Sequence, residues 1–445
     1  MFNRSAVLMA AIALSVPGGL ALAEAPQLSL DPTVITAVDA TAPQGALMQG
    51  LDKAGIGKPL ADAKLNIDGW VEMGYTYLNR HSAETTLILP GPFNHEHGNH
   101  AMLNQAVVRI ARDVDPTKFD VGGMVELMYG SDAAKIHSGG LGYDGSDPTD
   151  NGSPSDRDSA TPNSINNWNP IWQIDIPQAY VTVNVPVGNG LQVMVGKFST
   201  LLGYESYNAI SNPFYSHSWL FSFVPFTQTG VLGSMKVNDM FSMKVGVTRG
   251  WDMATEDNNG AVDILGQFVV QPTKQLSFSL AYSIGPENTD DNSHMRIAID
   301  PIVRWQATDA LSLGFEWLYV FDGGWNANAS TPDHHAYGDV WGGALYAGYE
   351  INDMLTLNAR MEAGHGMQGR FGNFGFGSAV SASIFEITLG ATVTPLPKND
   401  MLKGLSIRPE IRYDFTDSTQ HEFFKAVGGP YQDQLTFGFD VIFAF

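Results

Sequence analysis

The feature that most limits what this chain can fold into is a two-residue period that keeps returning. The final stretch, LTFGFDVIFAF, puts Leu435, Phe437, Phe439, Val441, Phe443 and Phe445 on one parity, and Thr436, Gly438, Asp440, Ile442 and Ala444 on the other. In an extended strand successive side chains point to opposite faces, so this parity is a strand with one greasy face. Sixteen such runs occur: 65–79, 102–113, 118–130, 173–186, 190–199, 228–238, 240–251, 262–271, 275–285, 294–307, 310–322, 337–351, 354–365, 382–395, 402–415 and 433–445. In LSIRPEIRYDF, Leu405, Ile407, Pro409, Ile411, Tyr413 and Phe415 oppose Ser406, Arg408, Glu410, Arg412 and Asp414. In 294–307, Met295, Ile297, Ile299 and Val303 oppose Arg296, Asp300 and Arg304. In 354–365, Leu355, Leu357, Ala359 and Met361 oppose Thr356, Asn358, Arg360 and Glu362, and in 310–322 a row from Leu311 to Phe321 opposes Ser312, Gly314, Glu316 and Asp322.

Alternation alone fits a soluble sandwich as well as a membrane barrel. The links between runs decide between them. Short links (VDPT, VGN, Asn238-Asp239, PTK, Thr308-Asp309, Asn352-Asp353) alternate with mostly longer ones, among them 80–101, 131–172 and 200–227. Short turns at one end and long loops at the other are the signature of an outer-membrane barrel. Around sixteen strands enclose a lumen too wide for side chains to fill. A face carrying both charge signs cannot line a dry core without heavy desolvation costs. The reading is therefore an all-β fold: a transmembrane antiparallel β-barrel of about sixteen strands, with short periplasmic turns, long extracellular loops, apolar face to lipid and charged face to water. Pro301 and Pro409 fall inside two of the runs; since a proline removes a ladder hydrogen bond, either bulges or different strand boundaries are expected there.

The ends of the chain fit an exported protein. Residues 1–23 (Arg4, an apolar stretch Ala6–Val16, then Ala21-Leu22-Ala23) read as a signal peptide. Residues 24–64 read as a periplasmic leader with a short helix marked by Leu47, Met48, Leu51 and Ala54, and 65–445 as the barrel. No later stretch is apolar enough for a spanning helix. Cysteine is absent, which removes disulfides, thiolate metal sites and a Cys nucleophile. A formal net charge of −22 argues against nucleic acid as a partner.

On the inner face Arg109, Arg296, Asp300, Arg304, Glu316, Arg360, Glu362, Arg408, Glu410 and Arg412 are the candidate pore-lining residues. The arginines form either a basic wall or a set of cross-strand ion pairs. Segment 200–227 holds eight aromatic residues between Tyr204 and Phe226 and one acid, Glu205. So greasy a loop does not belong in water: it either folds into the lumen as a constriction, the favoured expectation, or packs on neighbouring loops, with Tyr204, Glu205, Asn212, Phe214, Tyr215 and Trp219 as the candidate constriction residues. His95, His97 and His100 are weak metal candidates without a fixed ligand geometry, and Asp144–Asp158 reads as a solvated acidic loop. No cofactor is implied. By pattern alone Asp440→Asn ranks as a mild change, and the acidic balance suggests a modest cation preference.

Residues 196–230, GKFSTLLGYESYNAISNPFYSHSWLFSFVPFTQTG, resemble the hallmark block of the OmpL-like β-barrel porin family, with G-K-F, G-Y-E, N-P-F-Y-S and P-F-T-x-T-G; GWVEMGYTY and LNQAVVRI resemble the beginning of that family. The resemblance spans roughly 65–445 and implies an outer-membrane channel in a Gram-negative cell, surrounded by lipid and lipopolysaccharide. It also implies a final strand ending in Phe445 that is read by the barrel-insertion machinery. The expected function is passive diffusion of small polar solutes or ions, not enzymatic catalysis. The alternatives are a structural or adhesive surface protein with metal-binding loops, or an outer-membrane hydrolase, for which no G-x-S-x-G nucleophile site is present.

Overall fold

A computed structural model describes residues 45–78, 98–141, 172–323, 337–366, 381–417, 424–426 and 429–445. The expected signal peptide, His95, His97 and the acidic stretch Asp144–Asp158 lie outside these residues. The first strands are β1 (Leu65–Leu78), β2 (Ala101–Arg112), β3 (Asp120–Gly130), β4 (Gln173–Val185), β5 (Leu191–Ser199), β6 (Thr227–Lys236), β7 (Phe241–Trp251) and β8 (Asp263–Thr273). They continue as β9 (Leu276–Asn288), β10 (Asp291–Gln306), β11 (Leu311–Gly323), β12 (Tyr337–Asn352), β13 (Leu355–Gly366), β14 (Ala382–Val393) and β15 (Leu405–Thr416). A small hairpin, β16 (Phe424–Ala426) and β17 (Gly429–Tyr431), precedes β18 (Asp433–Ala444). Leaving that hairpin aside, sixteen strands pair antiparallel, each with its sequence neighbour, into a closed barrel. Closure joins β1 to β18 from Trp70↔Ala444 to Leu78↔Thr436. Phe445 extends the seam: the Gly69 N–H donates to the Phe445 carbonyl at 3.1 Å and the Phe445 N–H to the Gly69 carbonyl at 2.9 Å.

The short links collect at one end and the long ones at the other, with one exception. Between β9 and β10 the strands run on until only Thr289 and Asp290 remain as the turn, with Asp290 at φ 58°. At the short-turn end, α1 (Ala46–Lys53) and α2 (Gly57–Asp62) lie against the start of β1, where the Ile67 N–H meets the Met48 sulfur at 3.4 Å. Among the described residues no helix is long and apolar enough to cross a membrane.

Solvent exposure is inverted relative to a soluble protein. Phe439 is 45% exposed, and so, to a similar degree, are Val108, Ile110, Leu357 and Met361, whereas Asp300, Arg360, Arg412 and Asp440 are fully buried. The greasy parity faces outward to lipid and the charged parity inward, as sixteen-stranded geometry demands. Outward aromatics meet across strands, as in Tyr75–Phe439 at 6.1 Å and Phe385–Phe415 at 4.9 Å.

Two expectations need correction. First, the inner face is not uniformly polar. Leu232, Leu265, Ala298, Leu318, Val320, Val340 and Ala344 share it, almost wholly buried. They pack against Leu201, Leu202, Leu220, Phe223 and Val224 of the segment between β5 and β6. A dry core thus does exist inside the barrel, because a loop fills part of the lumen. Second, no bulge marks Pro301 or Pro409. Pro301 opposes Leu280 in an unbroken register, and on its other side the β10–β11 ladder resumes unshifted from Ile299↔Tyr319 to Ile302↔Glu316. Pro409 opposes Phe439 without a shift, and β14–β15 keeps register from Gly390↔Glu410 to Val393↔Ile407. In an antiparallel ladder a residue directs its N–H and C=O to the same neighbour. Each proline therefore loses a bond on one side only and inserts no extra residue. Three register shifts occur near other prolines, Pro177, Pro272 and Pro286, and three more, at Glu72/Met73, Gln228/Gly230 and Glu350/Asn352, have no proline beside them.

The orientation of β18 is testable. Phe439→Arg, on the lipid face, is expected to lower stability by up to ~2–4 kcal/mol if the site lies near the bilayer midplane. Denaturant titration of folding into lipid vesicles measures it; a neutral effect would mean that Phe439 does not face lipid.

Candidate functional site

Residues 200–226 leave the end of β5, cross the lumen and return to β6. Their stem is pinned. Ser199 pairs with Thr227, the Thr200 N–H donates to the Phe226 carbonyl at 3.1 Å, and the Asp252 carboxylate accepts the N–H groups of Phe226 (2.9 Å) and Thr227 (2.8 Å). Beyond the stem the segment contains only two short 3-10 turns, Ala209–Ser211 and Leu220–Phe223. Most of its peptide groups therefore have no secondary-structure partner, and a buried peptide group without one is costly.

The wall supplies the partners by a simple division. Inner-face carboxylates accept loop N–H groups. Asp300 takes that of Gly203 at 2.5 Å and Glu316 that of Tyr204 at 3.1 Å. Glu410 takes Tyr215 (3.0 Å) and Ser216 (3.1 Å), and Glu362 takes Trp219 and Leu220, both at 2.7 Å. Arginines and amides donate to loop carbonyls. Arg408 reaches Ala209 (2.9 Å) and Asn212 (2.5 Å), Arg360 reaches Ser216 (2.8 Å), Arg412 reaches His217 (2.5 Å) and Arg304 reaches Tyr204 (3.1 Å). Gln105 and Asn358 donate to Tyr207 (2.7 Å) and Pro213 (3.2 Å).

The aromatic side chains settle over inward-facing glycines. Tyr204 lies on Gly314, where an added Cβ would come within 2.3 Å of its hydroxyl, and Tyr215 lies on Gly74, where a Cβ would come within 2.2 Å of its ring. Tyr204 also stacks on Tyr346 with centroids 4.0 Å apart. Phe214 lies beneath the Arg360 guanidinium at 5.0 Å, and the Trp219 indole N–H donates to Asp414 at 2.8 Å. Asn212 braces the segment from within: its side-chain oxygen accepts the Ser206 N–H and its amide donates to the Ser206 carbonyl at 2.6 Å.

Glu205 is the charged centre of the segment. It accepts from Arg360 at 2.8 Å, from the Tyr346 hydroxyl at 3.1 Å and from the Ser218 N–H at 2.9 Å, and lies 3.0 Å from His217 Nδ1. Both residues belong to the loop, not to a membrane-crossing strand. Burial pushes the Glu205 carboxyl up, but Arg360, His217 and the Ser218 N–H outweigh it and hold it at about 2. Burial pushes the His217 ring down, so a neutral imidazole donates to an ionised carboxylate.

The candidate pore-lining residues are thus all inward, yet most of them do not face water. Arg360 and Arg412 are fully buried and Arg408 is 3% exposed. Arg360 pairs with Glu386 and Glu205, Arg412 with Asp414, Arg408 with Asp440 and Glu72, Arg109 with Asp68, and Arg296 with Asp322. Glu72, Glu386, Asp414 and the amides Gln105 and Asn358 were not singled out from sequence, though they share the inner parity with residues that were. His100 is exposed, with Nδ1 3.1 Å from the Gly98 carbonyl; it does not join a metal cluster, and none forms among the described residues.

A closed sixteen-stranded antiparallel barrel, apolar outside, charged inside and crossed by a long internal loop, is an outer-membrane porin. The family model described as "Putative beta-barrel porin-2, OmpL-like" matches residues 64–445, and the chain belongs to that family. Solved structures with a similar fold include Salmonella typhi OmpF in complex with daunomycin (TM-score 0.55, 12% identity, covering 86% of this chain and 99% of that one). An anion-selective porin from Comamonas acidovorans is also similar (TM-score 0.52, 11% identity, 86% and 99%). So is the outer membrane channel DcaP of Acinetobacter baumannii (TM-score 0.51, 12% identity, 86% and 97%). No curated protein sequence matches the chain. The protein is a porin-like channel of the cell outer membrane.

The buried pairing corrects the ranking of Asp440→Asn as mild. Asp440 is fully buried and receives a bidentate contact from Arg408. Removing one charge of such a pair is expected to cost up to ~3–5 kcal/mol. The double variant R408Q/D440N is expected to be less unstable than the sum of its single variants, since it removes both charges of the Arg408–Asp440 pair together. Additive losses in denaturant-induced unfolding would show that the two residues do not act as a pair.

Proposed function

We propose that solutes diffuse through the space that segment 200–226 leaves in the barrel, so that this segment is the constriction and sets the size limit of the channel. The observation that carries the reading is a greasy loop held inside a wide barrel by wall side chains from many strands. The permeant solutes are small and polar, and the chain carries out no catalysis. Residues 1–23 direct export, the β18 strand ending at Phe445 presents the chain to the insertion machinery, and the outer rim meets lipopolysaccharide. Supporting the last two are the outward aromatic stripe of β18 and the lipid-facing apolar belt. The pore-lining and constriction residues named above act through this arrangement: wall charges position the loop, and the loop narrows the path.

Deleting 206–222 removes most of the lumen-filling side chains while leaving the stem and Gly203–Glu205. Single-channel conductance in planar bilayers is expected to rise while the barrel stays folded. Unchanged conductance in a folded deletion variant would place the limiting constriction elsewhere.

A further inference from the structure

Among the described residues six arginines face the lumen: Arg109, Arg296, Arg304, Arg360, Arg408 and Arg412. Five are committed, each to a carboxylate within 3.1 Å. Arg304 differs. Among the described residues it forms no salt bridge, and its one hydrogen bond runs from NH2 to the Tyr204 carbonyl at 3.1 Å. Its guanidinium carbon lies 4.4 Å from the Tyr204 ring centroid, and that ring stacks on Tyr346. The stack follows the barrel register. Arg304 pairs with Gly314 and Gly314 with Tyr346, so the tyrosine drops onto the glycine between its two neighbours. A guanidinium carries five N–H donors, and among the described residues only the bond to Tyr204 uses one of them, which leaves an edge free.

Arg304 is half-buried and lies close to the β10–β11 turn, at the short-turn end of the barrel. Its strand neighbours there, Ser277 and Gln306, are neutral. Two carboxylates approach it from the loop side, Asp300 on β10 and Glu316 on β11. Both are almost wholly buried under the loop and already accept the Gly203 and Tyr204 N–H groups. They weaken the field of Arg304 without blocking its free edge.

We propose that Arg304 is the selectivity-determining arginine of the channel, a docking point for solutes carrying a carboxylate or phosphate on their way through the lumen. The other five inner arginines act on the loop and on their own partners, because a paired, buried guanidinium presents little net charge to a passing ion. A guanidinium edge matches the two oxygens of either anion. The proposal rests on the channel reading and names its solute class.

The test compares wild type, R304Q, R304K and the charge-neutral double variant K236Q/D239N, an exposed pair at the β6–β7 turn. Reversal potentials across a potassium chloride gradient at low salt give the chloride-to-potassium permeability ratio. R304Q is expected to lower that ratio about fivefold, the factor that one unit charge at ~4 Å in water supplies. R304K is expected to keep it, since it keeps the charge, and K236Q/D239N to leave it unchanged. In parallel, the phosphorus NMR line of inorganic phosphate is followed with detergent-refolded protein. It is expected to broaden with wild type and not with R304Q. An unaltered permeability ratio in R304Q, or equal broadening in the two proteins, would overturn the role of Arg304. Wild-type barrels that fold yet never conduct would instead sink the channel reading, and the phosphate line would still decide whether Arg304 binds anions.

Discussion

The rest of the structure depends on one constraint: peptide groups taken out of water need hydrogen-bond partners. The barrel meets it for the spanning strands by closing on itself, which leaves no edge exposed to lipid. The loop that crosses the lumen meets it in another way. It has almost no secondary structure of its own, so the wall provides acceptors for its N–H groups and donors for its carbonyls. Glu362, Glu410, Asp300 and Glu316 are acceptors; Arg360, Arg408, Arg412 and Arg304 are donors. The mixture of charge signs on the inner parity follows from this. A wall of one sign could satisfy only half of an irregular backbone.

Two kinds of contact then divide the work of holding the loop. Leu201, Leu202, Leu220, Phe223 and Val224 bury themselves against apolar wall residues such as Leu265, Leu318 and Val340. Such burial is strong but weakly directional. Interleaved with these contacts, wall arginines and carboxylates hold named peptide groups at hydrogen-bond distance, which is directional but contributes modest net stability. Glycines opposite Tyr204 and Tyr215 turn the same wall into fitted notches. Greasy packing drives the segment out of water, and the polar contacts choose where it lies.

This division explains what was legible in the sequence. Strand positions follow from local parity, whereas barrel class and the outward face of stripes such as Leu435–Phe445 follow only when parity is combined with the alternation of short and long links. The inward fold of the loop was legible from its aromatics alone. Its partners were not, because Tyr215 and Glu410, or Leu220 and Glu362, are brought together only by barrel closure. Leu318 and Val320 share a parity with Glu316 and Asp322, and reading that face as wet missed the dry patch they form. The rule that proline needs a bulge failed at Pro301 and Pro409 because it ignores which neighbour the missing N–H would have faced.

The division also separates architecture from selectivity. Wall residues that grip the loop do so mainly through its backbone, so their contacts do not depend on which side chains the loop carries at those positions. Their charges are consumed by that grip and by one another, and little of them reaches the solute path. Arg304 is held by the same loop through the Tyr204 carbonyl and ring, yet forms no salt bridge among the described residues. A net charge of −22 is therefore a poor guide to what the channel prefers. A permeating ion responds to unpaired charge within a Debye length of its path, ~8 Å at physiological salt, and buried ion pairs present almost none. Counting formal charges on the wall overstates its field, and the distribution of ion pairs is the better predictor of selectivity.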